Sequence, residues 1–296
     1  MSATSGPEVK YALITGCTPG GIGHFLALEF ADDGFHVLAT VRDPAKYEPA
    51  PHPNMTYLPL ELTEPASIQS LLKRVTSLTG GKLDILYNNA GRNYTMPALD
   101  LEPAEVTDLF AANVFSVMQL CQAFAPLLIT AKGTIVQTGS VAAVMPYAWG
   151  SAYCASKAAL HAYSNTLRVE LAPLGVRVVN IITGGVKSNL ARVPRSLPEN
   201  SYYLPLEDEY QKRLVHAQTL GSDTRAYARR CVRAVVARDG WAGGWLGKQR
   251  WVWEGSLSWA VWFATTWLPH AVLDWYFTWR FGLGRMRGVV QGKKEH

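Results

Sequence analysis

Tyr11-Ala12-Leu13-Ile14-Thr15-Gly16-Cys17-Thr18-Pro19-Gly20-Gly21-Ile22-Gly23 is the stretch that decides the fold of this chain. It opens with a short apolar run of β character and passes at once into a glycine-rich loop. From His24 to Asp33, residues Phe25, Leu26, Leu28 and Phe30 fall at helical spacing, and Gly34 stops the pattern. The implied order is strand, glycine loop, helix. Glycines at such a turn let backbone N–H groups approach a pyrophosphate, and the positive end of the helix faces the anion. A glycine-rich turn alone is a weak signal; between a first strand and a first helix it is much stronger.

Downstream the same alternation repeats. Phe35 to Thr40 reads as a second strand, and the residues at its end discriminate between cofactors. An acidic side chain there would accept the ribose 2'-hydroxyl of NAD and repel the 2'-phosphate of NADP. This chain has Thr40, Val41 and Arg42 instead. Arg42 could pair with the phosphate, and Thr18 could add a hydroxyl; the alternative is that Arg42 is only a solvated loop residue. The balance favours NADP(H). Thr56 to Leu60 is a third strand leading to Glu61-Leu62-Thr63, where an adenine ring could rest, and Pro65 opens a helix that Gly80-Gly81 ends. Leu83 to Tyr87 is the fourth strand, followed by the turn Asn88-Asn89-Ala90-Gly91. Pro103 to Leu128 is a long helical stretch containing Asn113. Thr134 to Thr138, Val176 to Ile182 and Arg250 to Trp253 supply further strands. Apolar strands alternating with helices predict an α/β fold, a Rossmann-type doubly wound parallel sheet of about seven strands. Ligands in such sheets bind outside the carboxyl ends of the strands.

Ser140, Tyr153 and Lys157 can work there as one proton-handling unit. Tyr153 and Lys157 are four apart, so on a helix they share a face. A free tyrosine has a pKa of roughly 10, and a nearby lysine cation favours the phenolate. Tyr153 could then give a proton to a carbonyl oxygen or take one from an alcohol. Ser140, just past the fifth strand, would donate a hydrogen bond to the same oxygen. A bare Tyr-x-x-x-Lys occurs by chance in many helices, so the independent nucleotide signal is what gives it weight.

The 296 residues, 48% of them hydrophobic, suffice for one large core with an appendage. A net charge of +5 is mildly basic and suits anionic ligands or membrane surfaces. No lysine and arginine cluster interleaved with stacking aromatics points to nucleic acid. Four scattered cysteines imply a reducing compartment, and neither they nor the histidines have metal-ligand spacing, so no metal is expected. Residues 1–10 lack the apolar region of a secretory signal.

Taken together, these residues resemble the short-chain dehydrogenase/reductase family over roughly residues 9–255. The resemblance rests on the loop Thr15 to Gly23, on Asn88-Asn89-Ala90-Gly91, on Asn113, and on the step from Ser140 to Tyr153 and Lys157. It implies a catalytic tetrad of Asn113, Ser140, Tyr153 and Lys157, in which Asn113 holds a water relaying protons to Lys157 and Lys157 also binds the nicotinamide ribose. It implies NADP(H) contacts at Gly16, Thr18, Gly21, Ile22 and Gly23, at Arg42, Glu61 and Asn89, at Tyr153 and Lys157, and at Val186 and Ser188. Within the family, Gly81 to Gly91, Pro97 to Asp100, Lys132 to Val136 and Ile182 to Val186 are similar to the fungal 1-acyldihydroxyacetone-phosphate reductases and their relatives, a group that also includes natural-product ketoreductases. The sequence departs from the family pattern in four places. The glycine loop is one residue longer, Glu61 replaces an aspartate, Thr183 stands for a proline, and Ser188 stands for a threonine.

The implied activity is hydride transfer from NADPH to the ketone of a hydrophobic or lipid-like small molecule. Steroid, retinol or natural-product substrates are alternatives, and a non-catalytic nucleotide-binding scaffold is the rival of a different class. Residues 1–255 read as the dinucleotide-binding domain, with an irregular substrate-covering loop over 189–222 and a basic helix from Asp223 to Arg238. That helix could attract an anionic substrate or simply be solvated. Residues 256–296 read as a Trp-rich C-terminal extension, since nine of the ten tryptophans lie between Trp241 and Trp279. Pro269 and His270 interrupt its uncharged stretch. An interfacial membrane contact aided by Arg280, Arg285, Arg287, Lys293 and Lys294, a pocket cap and a dimer interface are its three readings. The expected setting is cytoplasmic, peripheral on endoplasmic reticulum or a lipid droplet if the membrane reading holds, and family analogy implies a homo-oligomer.

Overall fold

The alternation of strands and helices becomes one parallel sheet in a computed structural model that describes residues 9–188, 195–215, 219, 221–237 and 250–288. Its strands are β1 (Tyr11–Ile14), β2 (His36–Val41), β3 (Met55–Pro59), β4 (Ile85–Asn88), β5 (Thr134–Thr138), β6 (Arg177–Thr183) and β7 (Trp251–Glu254). They lie in the order β3-β2-β1-β4-β5-β6-β7. The chain builds outward from β1 to β3, then returns to pair β4 with the other edge of β1, with Ala12 opposite Ile85 and Leu13 opposite Leu86. This reversal opens a crevice at the carboxyl ends of β1 and β4, where a doubly wound sheet takes its ligand.

Helices cover both faces because successive strand residues point to opposite sides. Ala12, Ile14, Val37, Ala39, Ile85, Tyr87 and Val136 belong to a core shared with helix α1 (Ile22–Asp32). Leu13, Leu38, Leu86, Ile135 and Val178 belong to a second core, on the side of α2 (Pro65–Thr79) and the helical run from Pro103 to Ala131. That run comprises α3 (Pro103–Phe110), a π-helical turn (Ala111–Phe115) and α4 (Ser116–Ala131). By length and composition it could cross a membrane, but Leu120, Phe124 and Leu128 are buried in the second core. Each such side chain contributes roughly 1.5–3 kcal/mol. Helix α5 (Ser151–Leu171) adds Leu160 to the same core.

Two expectations need correction. The segment expected to be an irregular loop contains helix α6 (Glu207–Leu214). Glu207, Asp208 and Glu209 occupy its first turn and Lys212 and Arg213 its last, each complementing the helix dipole. The basic helix α7 (Thr224–Val236) does present a solvated face, with Arg225 and Arg229 each 51% exposed, but these two arginines are ion-paired rather than free to hold an anion. Arg225 Nε and Arg229 Nε each lie 3.0 Å from a carboxylate oxygen of Glu29 on α1, whose side chain is only 8% exposed. Burial alone would raise the Glu29 carboxyl, but the two guanidiniums outweigh it and hold the group below its usual value. Arg230 pairs with Glu254 at the end of β7.

The C-terminal segment forms α8 (Ser258–Trp267) and α9 (His270–Arg280), broken where Pro269 caps the second helix. Leu273, Phe277 and Phe281 enter a third core with Tyr94, Trp149, Leu206 and Tyr210. Pro194, Arg238, Trp241, Trp245, Lys293 and Lys294 lie outside the described residues.

Candidate active site

The glycine loop is shaped by contacts that leave no room for side chains. A Cβ on Gly23 would sit 2.4 Å from the Gly16 carbonyl oxygen and 2.6 Å from Asn89 Nδ2. Gly16 itself has φ +72, and a Cβ there would press on Ala90 at 3.0 Å. Asn89 Nδ2 donates to the carbonyls of Thr15 at 2.8 Å and Gly16 at 3.3 Å, so its amide braces the loop. The Gly21 N–H donates to the Thr18 carbonyl. Thr18, Pro19 and Gly20 are exposed, while Gly21 and Ile22 are half-buried at the start of α1. Arg42, just past β2, is exposed, and its guanidinium has no ion pair or hydrogen bond among the described residues. Glu61 is half-buried, and its backbone N–H donates to Ser67 Oγ at 2.9 Å. Val186 and Ser188, which follow β6, are both buried. Val186 bridges to Ser222, and Lys187 N–H donates to the Ser222 carbonyl at 3.1 Å. An exposed loop, a helix start and a free guanidinium fit a phosphate-bearing dinucleotide.

Ser140, Tyr153 and Lys157 converge beside this crevice. Ser140 caps the turn after β5; its Oγ accepts the Ala142 N–H at 3.1 Å, leaving its proton to donate elsewhere. The Ser140 hydroxyl neighbours the Tyr153 phenol and lowers its pKa. Lys157 Nζ lies 5.9 Å from the centre of the Tyr153 ring and donates to the Thr138 carbonyl at 2.8 Å. Asn113 sits on the π-helical turn, a local widening often found at functional sites. Its Oδ1 accepts the Arg92 N–H at 2.8 Å, and its Nδ2 donates to the Arg92 carbonyl at 3.0 Å and to Ser156 Oγ at 3.1 Å. The amide thus pins the turn after Gly91; a Cβ on Gly91 would lie 2.8 Å from Asn113 Oδ1 and 3.9 Å from Lys157 Nζ.

Burial dominates the protonation of the site. It pushes the Tyr153 phenol up to about 12, against the opposing pull of the Ser140 hydroxyl and the Arg213 charge. This differs from the expectation that Lys157 lowers that value. Burial also pulls Lys157 down to about 8, which weakens the lysine as a fixed cation.

Four participants were not singled out from the sequence. His161 Nε2 accepts the Ser140 N–H at 3.1 Å, and burial followed by the Lys157 charge lowers its pKa to about 3. It is therefore a neutral acceptor that fixes Ser140. Ser156 Oγ donates to the Tyr153 carbonyl at 2.8 Å and ties that helical turn to Asn113. Spacing along α5, eight residues from Tyr153 to His161, could have flagged the histidine. Trp149 belongs to the third core, against which Tyr147 and Tyr153 pack, and Arg213 stacks on Tyr147. A shallow, open depression of about 570 Å³ is lined by Val144, Trp251, Trp253, Trp262, Thr265, Thr266 and His270; Ser140, Tyr153 and Lys157 do not line it.

Comparison with known proteins follows the same lines. Residues 10–196 match the family model for short chain dehydrogenase. The chain is similar to the short-chain dehydrogenase fogD of Aspergillus ruber, 40% identical over 97% of this chain and 98% of that protein. It is also similar to the NADPH-dependent 1-acyldihydroxyacetone phosphate reductase of Schizosaccharomyces pombe, 44% identical over 66% of this chain and 68% of that one. Among solved structures, a metagenomic short-chain oxidoreductase in complex with NADP is 32% identical, with a TM-score of 0.55, covering 60% of this chain and 83% of that chain.

Proposed function

The chain belongs to the short-chain dehydrogenase family, and from that premise we propose that it is an NADPH-dependent reductase of a hydrophobic, lipid-like ketone. The observation that carries the reading is that Lys157 Nζ lies 5.9 Å from the centre of the Tyr153 ring, beside Gly91 just past the end of β4, with Ser140 neighbouring the phenol. The cofactor is NADP(H). Arg42 stands exposed at the end of β2, where a carboxylate would repel a 2'-phosphate. The relatives solved with NADP or described as NADPH-dependent agree with this.

When bound, NADPH supplies the hydride that reduces the carbonyl carbon. The chain's own residues handle the proton. Tyr153 donates it to the carbonyl oxygen, and Ser140 polarises that oxygen with its hydroxyl proton. Lys157 contributes charge and holds the ribose, while Asn113 fixes the Gly91–Arg92 turn against it. Thr18, Gly21 and Ile22 line the pyrophosphate side, Glu61 the adenine side, and Val186 with Ser188 the nicotinamide side. Residues 1–255 serve as the dinucleotide domain and 256–296 as an extension. Candidate substrates are 1-acyldihydroxyacetone phosphate and the ketones of natural-product pathways. Purified protein assayed with NADPH and NADH against acyl-dihydroxyacetone phosphate, steroid, retinal and polyketide-like ketones tests the reading. Turnover of one ketone class with NADPH is expected; turnover with NADH alone would overturn the cofactor assignment, and cofactor binding with no turnover on any class would favour the scaffold alternative.

A membrane-facing role for the extension is favoured by one observation: Trp259, Trp267 and Trp275 are each 68% exposed on helices α8 and α9. Tryptophan prefers headgroup depth, and Arg280, Arg285 and Arg287 lie next in the chain. Peripheral attachment of a cytoplasmic homo-oligomer to endoplasmic reticulum or lipid droplets is the corresponding cellular reading.

A further inference from the structure

Arg213, the penultimate residue of α6, is 7% exposed at the edge of the third core. Its guanidinium carbon stands 3.6 Å from the centre of the Tyr147 ring, stacked on it. One terminal nitrogen approaches the Gly150 backbone, 3.5 Å from where a Cβ would be. Among the described residues the guanidinium has no carboxylate partner and no hydrogen bond, and its Nε is buried without an acceptor. The ionisable groups facing it are Tyr147, Cys154, Tyr153 and Tyr210. Burial raises all four, Tyr153 and Tyr210 to about 12, so each is neutral at neutral pH. A buried cation with no counter-ion is costly, and a bound anion would relieve that cost.

Trp149 repeats the pattern. It is 5% exposed, and its Nε1–H also has no acceptor. Its backbone is held at φ +57, a conformation that a bulky residue adopts only under constraint. The ring is packed edge-on to Tyr210 at 5.9 Å and against Phe281 at 5.4 Å, in the cluster that contains Tyr147 and contacts Tyr153. Two buried donors without acceptors, in an otherwise apolar cluster next to the Ser140–Tyr153 pair, describe the complement of an amphiphile with an anionic group.

We propose that Arg213 and Trp149 form an anion-binding subsite on the substrate side of Tyr153, so that the ketone this protein reduces carries a carboxylate or a phosphate. The inference rests on the reductase reading for the word ketone; the subsite itself does not depend on turnover. An Arg guanidinium recognises either oxyanion through paired N–H donors, and an indole N–H adds a further one.

The test uses the full chain saturated with NADPH, so that cofactor phosphate sites are filled, and titrates octyl phosphate, octanoate and octanol by calorimetry. At least one anion should bind about 10- to 100-fold more tightly than octanol, the range expected for charged hydrogen bonds. Preference for octyl phosphate assigns a phosphorylated substrate, preference for octanoate a carboxylic acid. Arg213→Gln should erase most of the preference, Arg213→Lys should restore part of it, and Trp149→Phe should reduce it several-fold while keeping the ring. NADPH binding by each variant reports whether it folds, and Trp149→Phe carries the test if Arg213→Gln does not. Equal affinity of the wild type for all three probes, or a preference that survives the variants, would overturn the subsite. Anion binding without reduction of any ketone would leave the subsite standing and remove the reductase reading instead.

Discussion

Tyr153 sits among apolar groups that resist its ionisation, and this favours the protonated phenol that a carbonyl reduction needs. Lys157 is the residue whose charge changes nearest working pH, at about 8. Because its folded value is depressed from 10.5, the lysine is a cation below about 8 and neutral above it. If the cation supports turnover, kcat/KM for the ketone should hold steady below about pH 7 and fall as the pH rises through the Lys157 value. A histidine limb near pH 6 should be missing, since His161 stays neutral down to about 3. A pH–rate profile checks both; a plateau extending past about pH 10 would contradict the Lys157 role. The spacing of Ser140, Tyr153 and Lys157 was legible in the sequence because α5 carries two of them one turn apart. His161 was legible only as a position on the same helix. Arg213 was not, because folding brings it to Tyr153 from 60 residues away.

At the scale of elements, the glycine loop works through close approach. Gly23 allows α1 to start directly against the Gly16 carbonyl while Asn89 clamps that carbonyl from just past β4. Gly23→Ala should therefore displace the loop, destabilise the protein by about 1–3 kcal/mol or more, and weaken NADPH binding by at least an order of magnitude in a fluorescence titration. Gly284→Ala, where a Cβ would meet nothing within 4 Å, is the neutral comparison. Wild-type NADPH affinity in Gly23→Ala would refute this packing account. Strands β1 to β7 were legible because a parallel sheet buried on both faces demands largely apolar runs, which Ala12–Ile14 and, broken only by Asn180, Val178–Ile182 display. Helix α6 was hidden by its eight residues of mostly charged sequence, which carry too little apolar periodicity to distinguish helix from loop. The fate of the arginines on α7 was equally illegible, since Glu29 lies about two hundred positions earlier in the chain.

On the scale of the whole molecule, α9 has two unlike faces. Leu273 and Phe277 point into the core that holds Trp149 and Tyr210, whereas Trp275, Tyr276 and Trp279 remain exposed, with Trp275 and Trp279 stacked at 6.4 Å. The cap and membrane readings of the Trp-rich segment are therefore compatible within one helix. Co-flotation with vesicles containing anionic lipid should recover the wild-type protein with blue-shifted tryptophan emission. Replacing Trp259, Trp267, Trp275 and Trp279 together by Ser should lower the bound fraction about tenfold or more, because each buried aromatic contributes well over 1 kcal/mol. Equal recovery of both proteins would dismiss the membrane reading and leave the cap.

The central claim is that Tyr153 delivers the proton in an NADPH-dependent reduction, and the most direct test removes one oxygen atom. NADPH consumption by Tyr153→Phe should be measured beside the wild type on its best ketone, with NADPH affinity measured on the same samples. The account predicts a loss of turnover of about 100- to 10,000-fold with cofactor affinity nearly unchanged. Turnover close to that of the wild type would contradict it.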